Sequence, residues 1–587
     1  MLIFAPTVRL WRVHTPGGLI VGWPPVKPRP FVRDDSLEAL ESESFDVLVV
    51  GGGITGVGAA LDAASRGLRT ALVERDDFAS GTSSRSSKLV HGGIRYLQQG
   101  DIGLVYQALA ERQRLLENAP HLVQVLPFLI PIFSTEGLIP KKLARAMGSA
   151  MWMYDLTGGA RIRRLHKRID NRAVLAHMPT LPLDRLAGGY LYYDASADDA
   201  RLTLAVARTA ALHFGAVMAN DTAVVAVGKD PKGCIDAVEV EASGHRILIR
   251  ARAVVNATGV WADTIRSLDE GRDPESIRPA KGIHITVPWH KVRNDIAAVV
   301  PVRSDQRSIF VVPWGDFTYI GTTDTDYDGP LDDPQCEPDD IRYLLDAFNA
   351  VSSEGISESD IVGTWAGLRP LVRSAHTERT ADMSRRHKVR VSSSGLVSVT
   401  GGKLTTYREM AADAVDAAVD EVLLRDVPRG ALRSHTRRLP IRGAEGYETL
   451  GVASVSYPGI PSRVIAHLGS RFGGEARVVM GMIEDNPDLI APLVEGLPYV
   501  RAEALFSARH EMMQTLDDLL SRRTRARLLG RDPSARSAPA VADLVADELG
   551  WDSERKKREV KDYVSRTEEE RRSACLPESD LATSIGA

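Results

Sequence analysis

The chain has 587 residues, of which 44% are hydrophobic and 26% charged, with a formal net charge of −4. At about 150 residues per domain this is core for roughly three or four domains, and the charge gives no global basic field that would draw the protein onto nucleic acid. Its three cysteines, Cys234, Cys336 and Cys575, are isolated in sequence, which argues against a disulfide framework or a cysteine zinc site and for a reducing compartment.

The first stretch, "MLIFAPTVRLWRVHTPGG", interrupts its apolar residues with Pro6, Arg9 and Arg12, so it lacks the unbroken apolar region of a signal peptide. Nowhere does the sequence run to about 18 consecutive apolar residues, the length a membrane-crossing helix needs. Residues 1–44, with "GWPPVKPRPFVRDD", are proline-rich and aperiodic and read as a tail or linker.

The first regular unit is "FDVLVVGGGITGVGAALDAASRGLRTALVER", residues 45–75. An apolar strand runs into Gly51-x-Gly53-x-x-Gly56 and a helix of small residues follows. Gly51 permits the tight turn, Gly53 lets a pyrophosphate approach the backbone, and Gly56 lets helix pack on strand. The helix start offers free amides and a positive dipole end to phosphate. Glu74 closes the second strand where an acid accepts ribose hydroxyls, and its charge disfavours a 2′-phosphate. The expectation is a bound dinucleotide.

Next comes "SSKLVHGGIRYL", residues 86–97, which mixes hydroxyls, bases and a glycine pair without periodicity. Further on, "GLIPKKLARAMGSAMWMYDL" (137–156) predicts a helix with Leu143, Met147, Ala150, Met151 and Tyr154 on one face and Lys141, Lys142 and Arg145 opposite. Such a helix suits an anionic membrane surface. Strand-like runs at 47–50, 71–73, 253–255, 309–312 and 397–399 alternate with helical stretches, which predicts an α/β architecture. "VVNATGVWAD" (254–263) and "LVSVTGGKLTTYREMAADAVD" (396–416) are strands entering glycine turns, at Gly259 and Gly402. Several distant segments returning to one cofactor suit FAD better than a modular NAD domain. From 430 to about 555 the pattern is helical, with Leu505, Met512 and Leu516 predicted on one stripe, and from 552 the chain is mostly charged, predicting an exposed final helix.

Five of these segments, "TSSRSSKLVHGGIRYL", "KGIHITVP", "VVPWGDFTYIGTTDTDY", "WAGLRPLV" and "TGGKLTTYR", occur in an order that resembles the FAD-dependent, quinone-linked glycerol-3-phosphate dehydrogenases. The resemblance runs from Phe45 to about Arg408 and continues more loosely through the helical region. It implies a Rossmann-like, D-amino-acid-oxidase-like fold with two nucleotide-binding units, an antiparallel substrate-side sheet and an α-helical C-terminal domain. It also implies FAD as cofactor, sn-glycerol 3-phosphate as substrate and a membrane quinone as acceptor. The expected domains are 45–428 for the oxidoreductase, 429–555 for the helical domain and 556–587 for a charged tail. Within the first, the FAD part covers about 45–135, 195–280 and 360–428, and the substrate part about 136–194 and 281–359. The expected location is cytoplasmic, peripheral on the plasma membrane, and the reading leaves room for a homo-oligomer.

A dianionic secondary alcohol needs fixed cations, a proton acceptor and a hydride-accepting flavin. Arg95, beside Tyr96, and Arg369, in "GLRP", are candidates for the phosphate, because a guanidinium fork can donate two parallel hydrogen bonds. Arg385 aligns with a family arginine at the phosphate. His284 is the leading proton acceptor, being mostly neutral near pH 7 at an ordinary pKa of about 6.5. Arg369 is a transition-state partner, Thr322 a donor to substrate or flavin, and Lys403 a cation for reduced flavin. Gly51, Gly53, Gly56, Glu74, Ser83, Ser84, Ser87, Lys88, Gly92, Gly259, Gly402, Leu404 and Thr405 are expected to hold FAD, and His91 to hydrogen-bond rather than link covalently to it. No metal site is expected. The alternatives are a glycerol-phosphate oxidase that uses oxygen and, from another class, a flavin-binding regulator or scaffold.

Overall fold

A computed structural model describes residues 29–93, 102–133, 164–302, 307–373, 386–452 and 457–581. Its first sheet is built on short apolar strands. Ser44–Val50 lies between Thr70–Val73 and His245–Asn256, parallel to both, and Val217–Ala219 and Leu396–Thr400 extend the parallel array on either side. Val47, Leu48 and Val49 are fully buried, as strands covered on both faces must be. The hairpin Thr222–Lys229 and Ile235–Ala242 adds antiparallel strands to His245–Asn256. Helix Ile54–Ser65 packs against helix Tyr407–Ala417 through Gly58, where a Cβ would stand 2.8 Å from the Tyr407 ring.

The second sheet is mainly antiparallel and contains ten strands among the described residues. Ile277–Pro288 is central to its chemistry, paired along its length with Gly363–Val372 and at one end with Phe317–Gly321. Strand alternation decides which side chains face the site. Ile283, Ile285 and Val287 enter one apolar cluster with Ile341, Leu344 and Phe348, while His284, on the opposite face, stacks on Trp365 with centroids 4.6 Å apart.

The two-sheet fold with a helical C-terminal domain is the expected one, but several boundaries differ. Val123–Phe133 and Gly363–Val372, read as parts of the FAD unit, belong to the second sheet, because they pair with Leu186–Ala197 and Ile277–Pro288. Within the expected tail, Arg33–Ser42 is a helix. Leu40 is fully buried, Arg33 donates to the Asn220 carbonyl at 2.9 Å, and Phe31 packs on Phe78.

The C-terminal domain also departs from its sequence pattern. Leu505, Met512 and Leu516 do not share a stripe. The helix Arg501–His510 ends before Met512, which has a left-handed φ of 53°, and the three side chains enter three different cores. The charged final helix, Ser553–Ser573, buries Tyr563 and Glu570. Glu570 accepts from the Thr364 hydroxyl at 2.8 Å and from Arg527 Nε at 2.8 Å, so buried ion pairing docks one edge of this helix while most of its charged side chains are exposed, as its sequence pattern predicts. No helix among the described residues is long and apolar enough to cross a membrane, and the segment 137–156 lies outside them.

Candidate active site

One cavity of about 1520 Å³ runs between the two sheets. At its nucleotide end the glycines are sterically required. Gly51 has φ +108°, and a Cβ there would meet the Ala257 carbonyl at 2.8 Å; a Cβ on Gly56 would run into the Gly51 carbonyl. Ser83 Oγ accepts from the Ile54 amide at 2.9 Å, capping the helix start next to Gly53. Glu74 lines the cavity and accepts from the amides of Gly52 (2.5 Å) and Asp76 (2.9 Å). Burial nevertheless pushes its carboxyl up to about 7. Gly259, at φ +62°, leaves open space where a Cβ would be, and Gly402, Leu404 and Thr405 line the far wall. This cradle fits a dinucleotide: it presents close-approach backbone, a helix start and a ribose-facing acid.

At the other end stands Arg369. Its Nη1 donates to Asp324 Oδ1 at 3.1 Å, and its Nη2 donates to Thr322 Oγ1 and the Thr323 carbonyl, each at 3.2 Å. Gly282 makes room for this group, since a Cβ there would stand 2.5 Å from Arg369 Nη2 and 2.6 Å from Thr322 Oγ1. Arg307, which the motif reading passed over, also lines the cavity and donates to the Asp324 carbonyl at 2.8 Å.

His284 does not line the cavity. It is 2% exposed, lies behind Ser87, and its Nε2 is 2.8 Å from Ser87 Oγ. Gly321 admits the ring, because a Cβ there would run into it. Burial, reinforced by the positive charges of Lys88 and Arg369, holds His284 well below its ordinary pKa and therefore neutral. His91 does line the cavity. Its amide donates to Thr405 Oγ1 at 3.1 Å, and burial, with Lys403 and Arg112 adding, lowers its ring to about 4.

Lys403, Thr322, Ser83 and Ser87 face the cavity. Ser84, Lys88, Gly92 and Gly56, read as cofactor contacts, form the layer behind its wall. Lys88 has a left-handed φ of 55° that turns its side chain inward, where it pairs with Asp199 at 3.2 Å and lies 4.7 Å from the Trp365 ring centroid. Burial lowers its ammonium to about 8 against the opposing pull of Asp199. The Ser84 carbonyl accepts from Lys88 Nζ at 3.2 Å, and the Gly92 amide donates to Asp194 at 3.3 Å. Arg95, Tyr96 and Arg385 lie outside the described residues. Sequence reading also missed Asp199, Asp194 and Gly321; only the glycine that ends a strand in "IGTTD" carried a local signal.

A third region of the cavity is apolar, with Ile130, Pro131 and Phe133 beside Val299, Pro301 and Phe310 on neighbouring strands of the second sheet. Among the described residues no group of His, Cys, Asp and Glu side chains could hold a metal ion.

The family described as FAD dependent oxidoreductase matches residues 46–408, and the C-terminal domain of alpha-glycerophosphate oxidase matches residues 434–556. Glycerol-3-phosphate dehydrogenase 2 of Mycobacterium tuberculosis is 40% identical over 573 residues, covering 96% of this chain and 95% of its own length. The mitochondrial glycerol-3-phosphate dehydrogenase of Rattus norvegicus is 37% identical over 581 residues, covering 93% and 77%. Among solved structures, the glycerol-3-phosphate dehydrogenase from Bacillus halodurans complexed with FAD superposes with a TM-score of 0.72 at 30% identity, covering 94% of this chain and 97% of that one.

Proposed function

The chain belongs to the family of FAD-dependent glycerol-3-phosphate dehydrogenases, and from that premise we propose that it oxidises sn-glycerol 3-phosphate to dihydroxyacetone phosphate and passes the electrons to a membrane quinone. The observation that carries this reading is Arg369, a cation held by Thr322, Thr323 and Asp324 in the same cavity as the dinucleotide cradle. Bound FAD supplies the hydride acceptor.

The chain's own residues supply the rest. Arg369 can hold the substrate's phosphate or the oxygen anion that develops at its alcohol, and the roles of Arg95, Tyr96 and Arg385 remain part of this proposal. The alcohol proton leaves to Ser87 Oγ, whose own proton passes to His284 Nε2, 2.8 Å away. Burial and two cations hold His284 neutral; a phosphate dianion beside Arg369 offsets the cations, so substrate binding raises its basicity. Lys403, on the cavity wall, balances negative charge as the hydride leaves.

The apolar region supports a quinone over oxygen. A small polar substrate has no use for Ile130, Pro131, Phe133, Val299, Pro301 and Phe310, whereas an apolar planar acceptor gains from burying itself there. A quinone dissolved in the bilayer also requires a peripheral encounter with a membrane, on the cytoplasmic face in this reading.

The test is spectroscopic. Anaerobic glycerol 3-phosphate should bleach the flavin band at about 450 nm, as reduction does to flavins in general, and a soluble quinone should restore it faster than air. Rapid recovery in air without quinone would instead establish the oxidase reading, and a spectrum that stays oxidised would leave a flavin-binding protein without this activity.

A further inference from the structure

We infer that Arg525, supplied by the helical C-terminal domain, is a positioning residue that holds the Ser86–Ser87 wall of the substrate site; the inference rests on the function proposed above. Arg525 is 1% exposed. Its Nη2 donates to Asp198 Oδ1 at 2.7 Å and also to Asp199 Oδ1, and its Nη1 donates to the Ser84 carbonyl at 3.3 Å. Asp199 is fully buried. Its second oxygen accepts from the Ser86 amide at 3.0 Å and the Ser86 hydroxyl at 2.7 Å. The same carboxylate takes Lys88 Nζ.

Ser87 therefore sits between two residues clamped to one carboxylate. Its hydroxyl meets His284 Nε2, and its carbonyl accepts from Tyr319 OH at 2.8 Å. The turn has a reason to need the clamp. Lys88 occupies the left-handed region at φ +55°, which side-chain sterics disfavour and which persists where surrounding contacts over-determine it. A buried carboxylate without water also requires cations around it. Asp199 has Lys88 from its own side and Arg525 from the C-terminal domain. Without Arg525, Asp199 loses one of these and Ser86 loses a fixed acceptor. Ser87 then shifts relative to the cavity, although Arg525 touches neither substrate nor flavin.

Hydrogen exchange and flavin reduction in Arg525→Met, Arg525→Lys and Ser86→Ala test this, with Arg509→Ala as a surface control in the same domain. Arg525→Met should speed amide exchange in residues 84–90 by roughly tenfold or more while leaving 45–60 as in the wild type. This should hold both with FAD bound and without it. With FAD stoichiometry retained, anaerobic flavin reduction at saturating glycerol 3-phosphate should slow roughly tenfold or more, because misplacement on the order of 1 Å is costly at a reacting centre. Substrate affinity should change far less, and Arg525→Lys should recover most of both effects. If Arg525→Met does not fold, Ser86→Ala, which removes a hydrogen bond and no charge, must show both effects in milder form.

Three results would overturn the inference: wild-type exchange in 84–90, faster exchange spread equally over 45–60, or local loosening with unchanged reduction rate. If the wild-type flavin is itself not reduced by glycerol 3-phosphate, the proposed function falls, while the exchange pattern still decides whether Arg525 positions the wall.

Discussion

The two ends of the cavity solve the problem of holding an anion in opposite ways. The nucleotide end works by omission: Gly51, Gly53 and Gly56 remove side chains so that backbone and a helix start can approach. The substrate end works by opposition. Arg369 is set against Asp324, and Lys88 and Arg525 against Asp199. At Gly51 and Gly56 the first end leaves no room for a Cβ; the second is built on paired charge. Glycines serve both, but differently. At Gly282 and Gly321 the missing Cβ makes space for a neighbouring side chain, Arg369 or His284, and not for a ligand.

The sharpest way to break this comparison is to add atoms at the first end. Gly56→Val drives a side chain into the Gly51 carbonyl, and the protein should purify essentially free of flavin, as measured by absorbance ratio and FAD titration. Subtraction at the second end should do the reverse. Arg369→Ala should keep FAD bound yet lose turnover by about 10³-fold, the scale of losing a transition-state charge partner. Loss of FAD with normal substrate handling by the residual holoprotein would mean that the two ends are misassigned.

Gly321→Ala adds one methyl against the His284 ring. It should lower turnover by roughly ten- to a hundredfold with little loss of FAD, since a ring displaced from Ser87 no longer takes its proton. Steady-state kinetics beside flavin content would separate these effects.

A smaller effect concerns pH. Glu74 is raised from 4.5 to about 7 in the folded protein by burial. A group raised on folding stabilises fully below its unfolded value, and that contribution is lost as pH rises toward and through the folded one. The FAD-free protein should therefore lose thermal stability between about pH 4.5 and 7 relative to Glu74→Gln. Because the carboxylate is the form that accepts ribose hydroxyls, FAD binding below pH 7 should release a proton, detectable by calorimetry in two buffers of different ionisation enthalpy. Smallest of all, Arg509→Ala breaks an exposed pair with Glu548 and should cost less than about 1 kcal/mol, with turnover unchanged.

The same contrast explains what the sequence made legible. The phosphate-binding part of the cradle is local: strand, three glycines, helix and terminal acid follow within residues 45–75, so spacing carries its chemistry. The substrate wall joins Ser87 to His284, Asp199 to Ser86, and Arg525 to Asp199 across separations of 197, 113 and 326 residues. No periodicity reports such pairings. Lys88 illustrates the cost: its place among hydroxyls and glycines suggested a cofactor contact, whereas its left-handed backbone sends it inward to an ion pair. The C-terminal domain holds pairings of the same kind: Arg523 and Arg525 are buried because Asp77, Asp198 and Asp199, from distant parts of the sequence, meet them there.

The central claim is that one cavity joins the dinucleotide cradle to a substrate end commanded by Arg369. Anaerobic stopped-flow mixing of FAD-loaded wild type and Arg369→Ala with glycerol 3-phosphate tests it most directly. The account predicts rapid bleaching of the flavin in the wild type and an oxidised spectrum that persists in the variant, with equal FAD content. Bleaching of the variant at the wild-type rate, or none in the wild type, would contradict it.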